Sequence, residues 1–148
     1  MAGLSTSATA QENSLTTFSP HADPHYVDVA PAGPSVGDQY MRRGVVMFDL
    51  KGPMVGEYYS QVSLIFMDTI AKQSSRTYTH EVILPDGSIY TWDVVQTDHG
   101  DPVNAGHKHE GAIIGGTGKY AGVRGTYTLE RTSSGDAFKT TYTYWLGH

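Results

Sequence analysis

The carboxylates best placed to move protons in this sequence are Asp49, Asp28 and Glu81. Asp49 lies in the segment 44–50, GVVMFDL, where strict alternation puts it on one face with Val45 and Met47. Turned toward an apolar interior, such a carboxyl rises in pKa and becomes a usable general acid. Turned outward beside Lys51, it is a solvated aspartate at a strand end. Asp28 alternates with Tyr26 in the short segment 25–29, HYVDV, and Glu81 shares a face of TYTHEVI with Thr77 and Thr79. Asp28 reads otherwise as a surface strand carboxylate, and Glu81 can point in or out, since a single register step exchanges the faces.

A second group of chemically competent residues lies near the end of the chain's middle third: Asp98, His99, Asp101, His107, His109 and Glu110. His107 and His109, at i and i+2, share a face of an extended segment, a spacing that with a carboxylate suits a divalent metal. The surrounding sequence is a Gly/Pro-rich loop, so solvated loop histidines are the expectation and no metal site is assigned. Tyr58, Tyr90, Trp92, Tyr142 and Tyr144, with Met47, form an aromatic and thioether set. It suits the wall of a pocket for a small planar ligand, or simple core packing. Cysteine is absent, which excludes thiolate nucleophiles, disulfides and Cys-ligated zinc.

The elements that must position these groups are strands. Period-two alternation recurs over 44–50, 56–67, 75–84, 89–95, 111–114, 123–131 and 137–146, with a further short strand at 25–29. Pro85-Asp86-Gly87-Ser88 is a hairpin turn, because Asp-Gly supports the positive φ that tight hairpins need. No stretch carries a helical period, and Pro20, Pro24, Pro31 and Pro34 break any helix early in the chain. About eight antiparallel strands on one short chain favour closure into a barrel, which removes exposed edges and leaves room for side chains or one small ligand. A sandwich is the alternative on periodicity alone. Residues 1–24 are polar and aperiodic and read as a flexible arm, with one barrel domain over 25–148.

Composition narrows the function classes. The chain has 148 residues, 17% charged, a formal net charge of −5 and no basic run longer than Arg42-Arg43. A nucleic-acid partner needs a basic face to displace counterions, so none is expected. No apolar run reaches the roughly 20 residues that span a bilayer. Ala8-Thr9-Ala10 has the small-x-small form of a signal-peptidase site without the preceding charged and apolar regions. It reads either as the remnant of an export signal, which implies a secreted protein, or as an ordinary polar leader.

The sharpest local feature is residues 112–125, AIIGGTGKYAGVRG. A phosphate-binding P-loop would need glycine where Ile113 stands and Ser or Thr where Tyr120 stands, and a dinucleotide fingerprint would open a helix where VRGTYTLER continues as strand. A tight link between two strands is the better account, with Tyr120 folding back over the barrel end. This IxGGTGxY turn followed by Arg-Gly resembles the motif of dirigent proteins, and allene oxide cyclases carry a related Ile-Thr-Gly-Gly version. Val46-Met47-Phe48-Asp49 followed by Met54-Val55-Gly56 is similar to the dirigent pattern of a Phe-Asp strand and a Val-Gly strand start. The hairpin 78–94 and the closing TTYTYWL extend the likeness over roughly residues 36–146.

The resemblance implies an eight-stranded antiparallel barrel of allene oxide cyclase/dirigent type, a small hydrophobic substrate in its cavity, no cofactor, and a homo-oligomer, trimer or dimer. It aligns Asp49 with the dirigent aspartate and Asp28 with an acidic position of the cyclases. The cyclases carry an acidic-asparagine segment ending in Ser-Pro before their first strand, which helps hold a catalytic water. Residues 25–35 read HYVDVAPAGPS and lack that asparagine and the matching Ser-Pro. That departure, with the missing cavity cysteine, speaks against cyclopentenone formation itself. The expected function is a cofactor-free cyclase or isomerase acting on a polyene, epoxide or polyketide-like metabolite. The alternative is a dirigent-like guide or carrier that binds without catalysing.

Overall fold

A computed structural model describes residues 9–98, 108–132 and 135–147. Its strands are β1 (Asn13–Pro20), β2 (His25–Val27), β3 (Gln39–Met47), β4 (Met54–Asp68), β5 (Gln73–Leu84), β6 (Gly87–Asp98), β7 (Lys108–Gly116), β8 (Arg124–Arg131) and β9 (Ala137–Trp145). One three-residue helical turn, Gly118–Tyr120, completes the regular structure. No helix among the described residues is long and apolar enough to cross a membrane.

All pairings are antiparallel, in the order β1-β9-β8-β7-β6-β5-β4-β3, and β3 returns to β1 through Phe18 opposite Met47. The result is a closed eight-stranded barrel, and the sandwich alternative is excluded. The short β2 adds to the free part of β3, Val27 opposite Gln39 and His25 opposite Met41. Beside it Asp38 ties the preceding loop together, accepting hydrogen bonds from the backbone N–H groups of Val29 and Ser35, each at 2.9 Å.

The first stave of the barrel is not the one read from the sequence. Residues 13–20, expected within a flexible arm, pair along the whole of β9, from Asn13 opposite Tyr144 to Pro20 opposite Ala137. Their inward residues are Leu15, Thr17 and Ser19, too polar to advertise a strand, and their order comes from the ladder β9 offers. The strand read at 25–29 is β2, outside the eight. β1 itself ends at Ser19-Pro20, with Ser19 buried.

β3 also differs. It begins at Gln39 and stops at Met47, where the register shifts between Val46 and Met47, and Phe48, Asp49 and Leu50 enter a turn closed by Gly52 N–H to the Asp49 carbonyl at 2.9 Å. The inward face is Tyr40, Arg42, Gly44 and Val46, the opposite of the Val45–Met47–Asp49 face. Gly44 explains the choice. A Cβ there would stand 2.4 Å from the Tyr58 ring, which crosses the interior over it.

One end of the barrel is packed shut. The Asp86-Gly87 turn and the glycine link meet there: Lys119 N–H donates to the Asp86 carbonyl at 2.9 Å, and Ser88 and Thr117 share a hydroxyl hydrogen bond at 2.7 Å. Gly118, at φ 58°, permits that approach. Tyr120 turns back into the core against Tyr144, ring centroids 5.8 Å apart, above Leu84, Ile89 and Val123. Ile89 and Val123 have no solvent exposure.

Candidate functional site

Away from that plug the same strands turn different residues inward. Along β5 the inward series is Tyr78, His80, Val82 and Leu84; along β6 it is Ile89, Thr91 and Asp93; β7 contributes His109 and Ile113, and β8 contributes Tyr127 and Leu129. Tyr78 and Asp93 are register partners, as are His80 and Thr91. A polar cluster therefore sits in the middle of an otherwise apolar barrel.

Asp93 and His109 are its buried centre, 6% and 4% exposed. His109 Nε2 is hydrogen-bonded to Asp93 Oδ2, and the Tyr127 hydroxyl lies 3.4 Å from the same nitrogen. Gly111 makes the space: a Cβ there would fall 2.6 Å from the Tyr127 ring and 2.8 Å from Asp93 Oδ2. Burial, reinforced by the nearby Asp93 charge, pushes the Tyr127 phenol well above its ordinary pKa, so it stays protonated. Tyr78 meets His109 edge-on at 4.8 Å and stacks on His80 at 6.3 Å, and its hydroxyl lies 3.2 Å from that of Tyr40.

His80 faces the cavity. Burial pushes its pKa down to about 4, helped by the positive surroundings of His109 and Arg42 and opposed by Asp93. Its Nε2 is shielded from solvent and makes no hydrogen bond among the described residues. The cavity is walled by Thr17, Ser19, Arg42, Val46, Tyr58, Ser60, Tyr78, His80, Val82, Leu129, Phe138, Thr140 and Tyr142, with Glu81 at its border. It spans about 570 Å³ between atoms with the open mouth included. Burial raises the phenol pKa of both Tyr58 and Tyr142, keeping them neutral donors, and the Tyr58 hydroxyl too lacks a partner.

The residues singled out from the sequence divide. Tyr58 and Tyr142 stand on the cavity wall; Tyr144 is buried in the plug against Tyr120. Met47 is half-buried at the β1–β3 closure. Tyr90 and Trp92 point outward, Trp92 43% exposed, because Ile89, Thr91 and Asp93 hold the inner face of β6. Asp28 and Asp49 are exposed, and Asp49 accepts from the backbone of Lys51 at 3.2 Å. A general-acid role resting on burial of either carboxyl loses its basis. Glu81 is half-buried and belongs by alternation to the outer face, opposite Tyr59 and Tyr90.

The histidine group fares differently again. His109 is not a solvated loop residue but an inward residue of β7, while His99, Asp101 and His107 lie outside the described residues. Among the described residues no group of three or more His, Asp or Glu could hold a metal ion. Asp93, His80 and Arg42 went unread. The alternation Tyr78, His80, Val82, Leu84 would have pointed to His80, and mid-strand Gly111 to a bulky neighbour.

No family model matches the chain, and no curated protein matches it. Solved structures do. A pyocyanin demethylase superposes with a TM-score of 0.71 at 20% identity, covering 89% of this chain and 99% of that one. A nonspecific heme-binding cyclase that catalyses 4 + 2 cycloaddition during neoabyssomicin biosynthesis gives 0.70 at 17% identity, over 95% and 69% of the two chains. A pterocarpan synthase dirigent protein gives 0.61 at 15% identity, over 96% and 90%. The fold is thus the allene oxide cyclase/dirigent type of barrel.

Proposed function

We propose that the barrel is a cofactor-free cyclase or isomerase that folds a small hydrophobic metabolite, a polyene, epoxide or polyketide-like chain, inside its cavity. The observation that carries this is His80: a neutral imidazole with an unpartnered nitrogen on the wall of a largely apolar cavity. An apolar pocket with a few convergent polar groups is the usual form of a small-molecule site. The likeness in fold to a cycloaddition cyclase supports the reading.

The chemistry would divide between shape and His80. Val46, Val82, Leu129 and Phe138 hold an apolar chain in a folded conformer, so that ring closure starts with its orientational entropy already lost. His80 Nε2 accepts a proton from the reacting centre, or in the other tautomer donates to an oxygen gaining charge. Phenols of Tyr58 and Tyr142, kept protonated by burial, add donors to that oxygen.

The test is incubation with polyenes, fatty-acid epoxides and phenolic precursors, read by chromatography and mass spectrometry. An isomer of unchanged mass, formed faster than in buffer and at least tenfold more slowly by His80→Gln, supports the reading; conversion unaffected by that change sinks the role of His80. A dirigent-like guide or carrier is the second reading, favoured by the aromatic wall of Tyr58, Tyr78, Phe138 and Tyr142, which suits a planar phenolic without any proton transfer. It predicts no conversion alone and altered product stereochemistry when a separate oxidase supplies radicals.

A further inference from the structure

Among the described wall residues Arg42 is the one permanently charged cation, and Glu81 is the one carboxylate. The two form no ion pair. By alternation Glu81 belongs to the outer face, where its charge acts on Tyr59. Arg42 points inward: its guanidinium carbon lies 5.3 Å from the centre of the Tyr40 ring, and its Nε is shielded from solvent with no hydrogen bond. It is also shared between the inner cavity and the groove that opens beside it to the outside.

A guanidinium does not escape the cost of burial by losing its proton. Arg42 forms no ion pair among the described residues, and its planar fork of donors matches an acidic oxygen pair. His80 Nε2 and the Tyr58 hydroxyl, also without partners, line the same cavity, and Ser60 is the register partner of Arg42. Val46, Val82, Leu129 and Phe138 give the same wall an apolar stretch, beside the hydroxyls of Thr17, Ser19 and Thr140. The cavity is therefore amphiphilic, cationic at the Arg42 side and oily beyond it.

We infer that the ligand of this cavity is a hydrophobic molecule bearing an acidic oxygen, a carboxylate or an ionised enol, held by Arg42 with its apolar body along the Val82–Leu129–Phe138 wall. The inference rests on the cavity being the functional site and adds the substrate class to it. It also gives the reaction a direction: an anchored anionic end fixes which atoms of a flexible chain come beside His80.

Isothermal titration calorimetry on the whole chain tests it with decanoate against decanol, and with 4-hydroxycoumarin, an ionised enol near neutral pH, against coumarin. The wild-type protein should bind at least one acid tenfold or more tightly than its neutral partner, and which pair discriminates identifies the acidic group. In Arg42→Gln that preference should collapse to within about twofold, with the neutral compounds bound as before. Acid and neutral probes binding equally to the wild type would overturn the inference while leaving the cavity reading intact; this comparison needs no variant to fold. Preference retained in Arg42→Gln would overturn the role of Arg42. Binding of no probe at all would remove both the inference and the cavity reading beneath it.

Discussion

The two halves of the barrel interior are made by the same strands and differ in what those strands turn inward. On β6, Ile89 is fully buried among Leu84, Tyr120 and Val123, and four residues on the same face carries Asp93. On β7, Ile113 belongs to the packed half and His109 to the polar one. The plug is apolar, with hydrogen bonds closing the turns around it; the polar half buries His80, Tyr58 and Arg42 atoms that find no partner among the described residues. Leaving such atoms unpaired costs of order 1–3 kcal/mol each. The contrast teaches that one half of a small barrel stabilises the fold so that the other half can stay unsatisfied and receptive.

If that division is real, changes in the two halves should fail in different ways. Ile89→Ala should have the largest effect on stability, a loss of roughly 2–5 kcal/mol by urea unfolding, with ligand affinity of the folded fraction unchanged. Lost affinity at full folding would break the division. Gly111→Ala forces a methyl against Tyr127 and Asp93, and should cost about 1–3 kcal/mol. Unlike the plug variant, it should also depress turnover in the folded protein, read by assay at matched folded concentration.

The pH response sharpens the comparison further. The folded pKa of His80, about 4, lies below its ordinary value of 6.5, so the unfolded chain binds the extra proton first. Stability from the neutral imidazole is complete above pH 6.5, declines as pH falls, and is lost by about pH 4. Asp93, His109, Arg42 and Tyr127 are the charged and titratable groups around it. His80→Gln should flatten this part of the profile of unfolding free energy against pH, and an unchanged slope would remove His80 as its source. The smallest effect is expected outside both halves. Asp28→Asn and Asp49→Asn should leave turnover and the urea midpoint where they are, and a large loss in either would return acid–base chemistry to the barrel surface.

Much of the scaffold was legible because the turns are explicit. Asp86-Gly87 and the 115–122 link announce their geometry through glycine, and the long strands β4 and β5 alternate clearly. β1 was illegible because its inward residues include Thr17 and Ser19, whose burial is decided by β9, far away in sequence. The site was missed for a related reason. On β3 and β6 both faces carry apolar residues, so alternation alone could not separate Val46 from Met47 or Asp93 from Trp92. The deciding residues were Gly44 and Gly111, whose absent side chains admit Tyr58, Tyr127 and Asp93. Mid-strand glycine named a crowded interior, and the reading stopped at the glycines of the turns.

The pairing of β1 with β9 has a consequence for the order in which the molecule comes into being. Apart from Phe18 opposite Met47, residues 13–20 find their ladder in residues 137–144, far later in the sequence. While the protein is being synthesised, β3 to β8 can pair with neighbours already made, but β1 waits for β9. The wall carrying Thr17, Ser19, Phe138, Thr140 and Tyr142 is thus assembled only once β9 has been made, and until then the chamber has no inside.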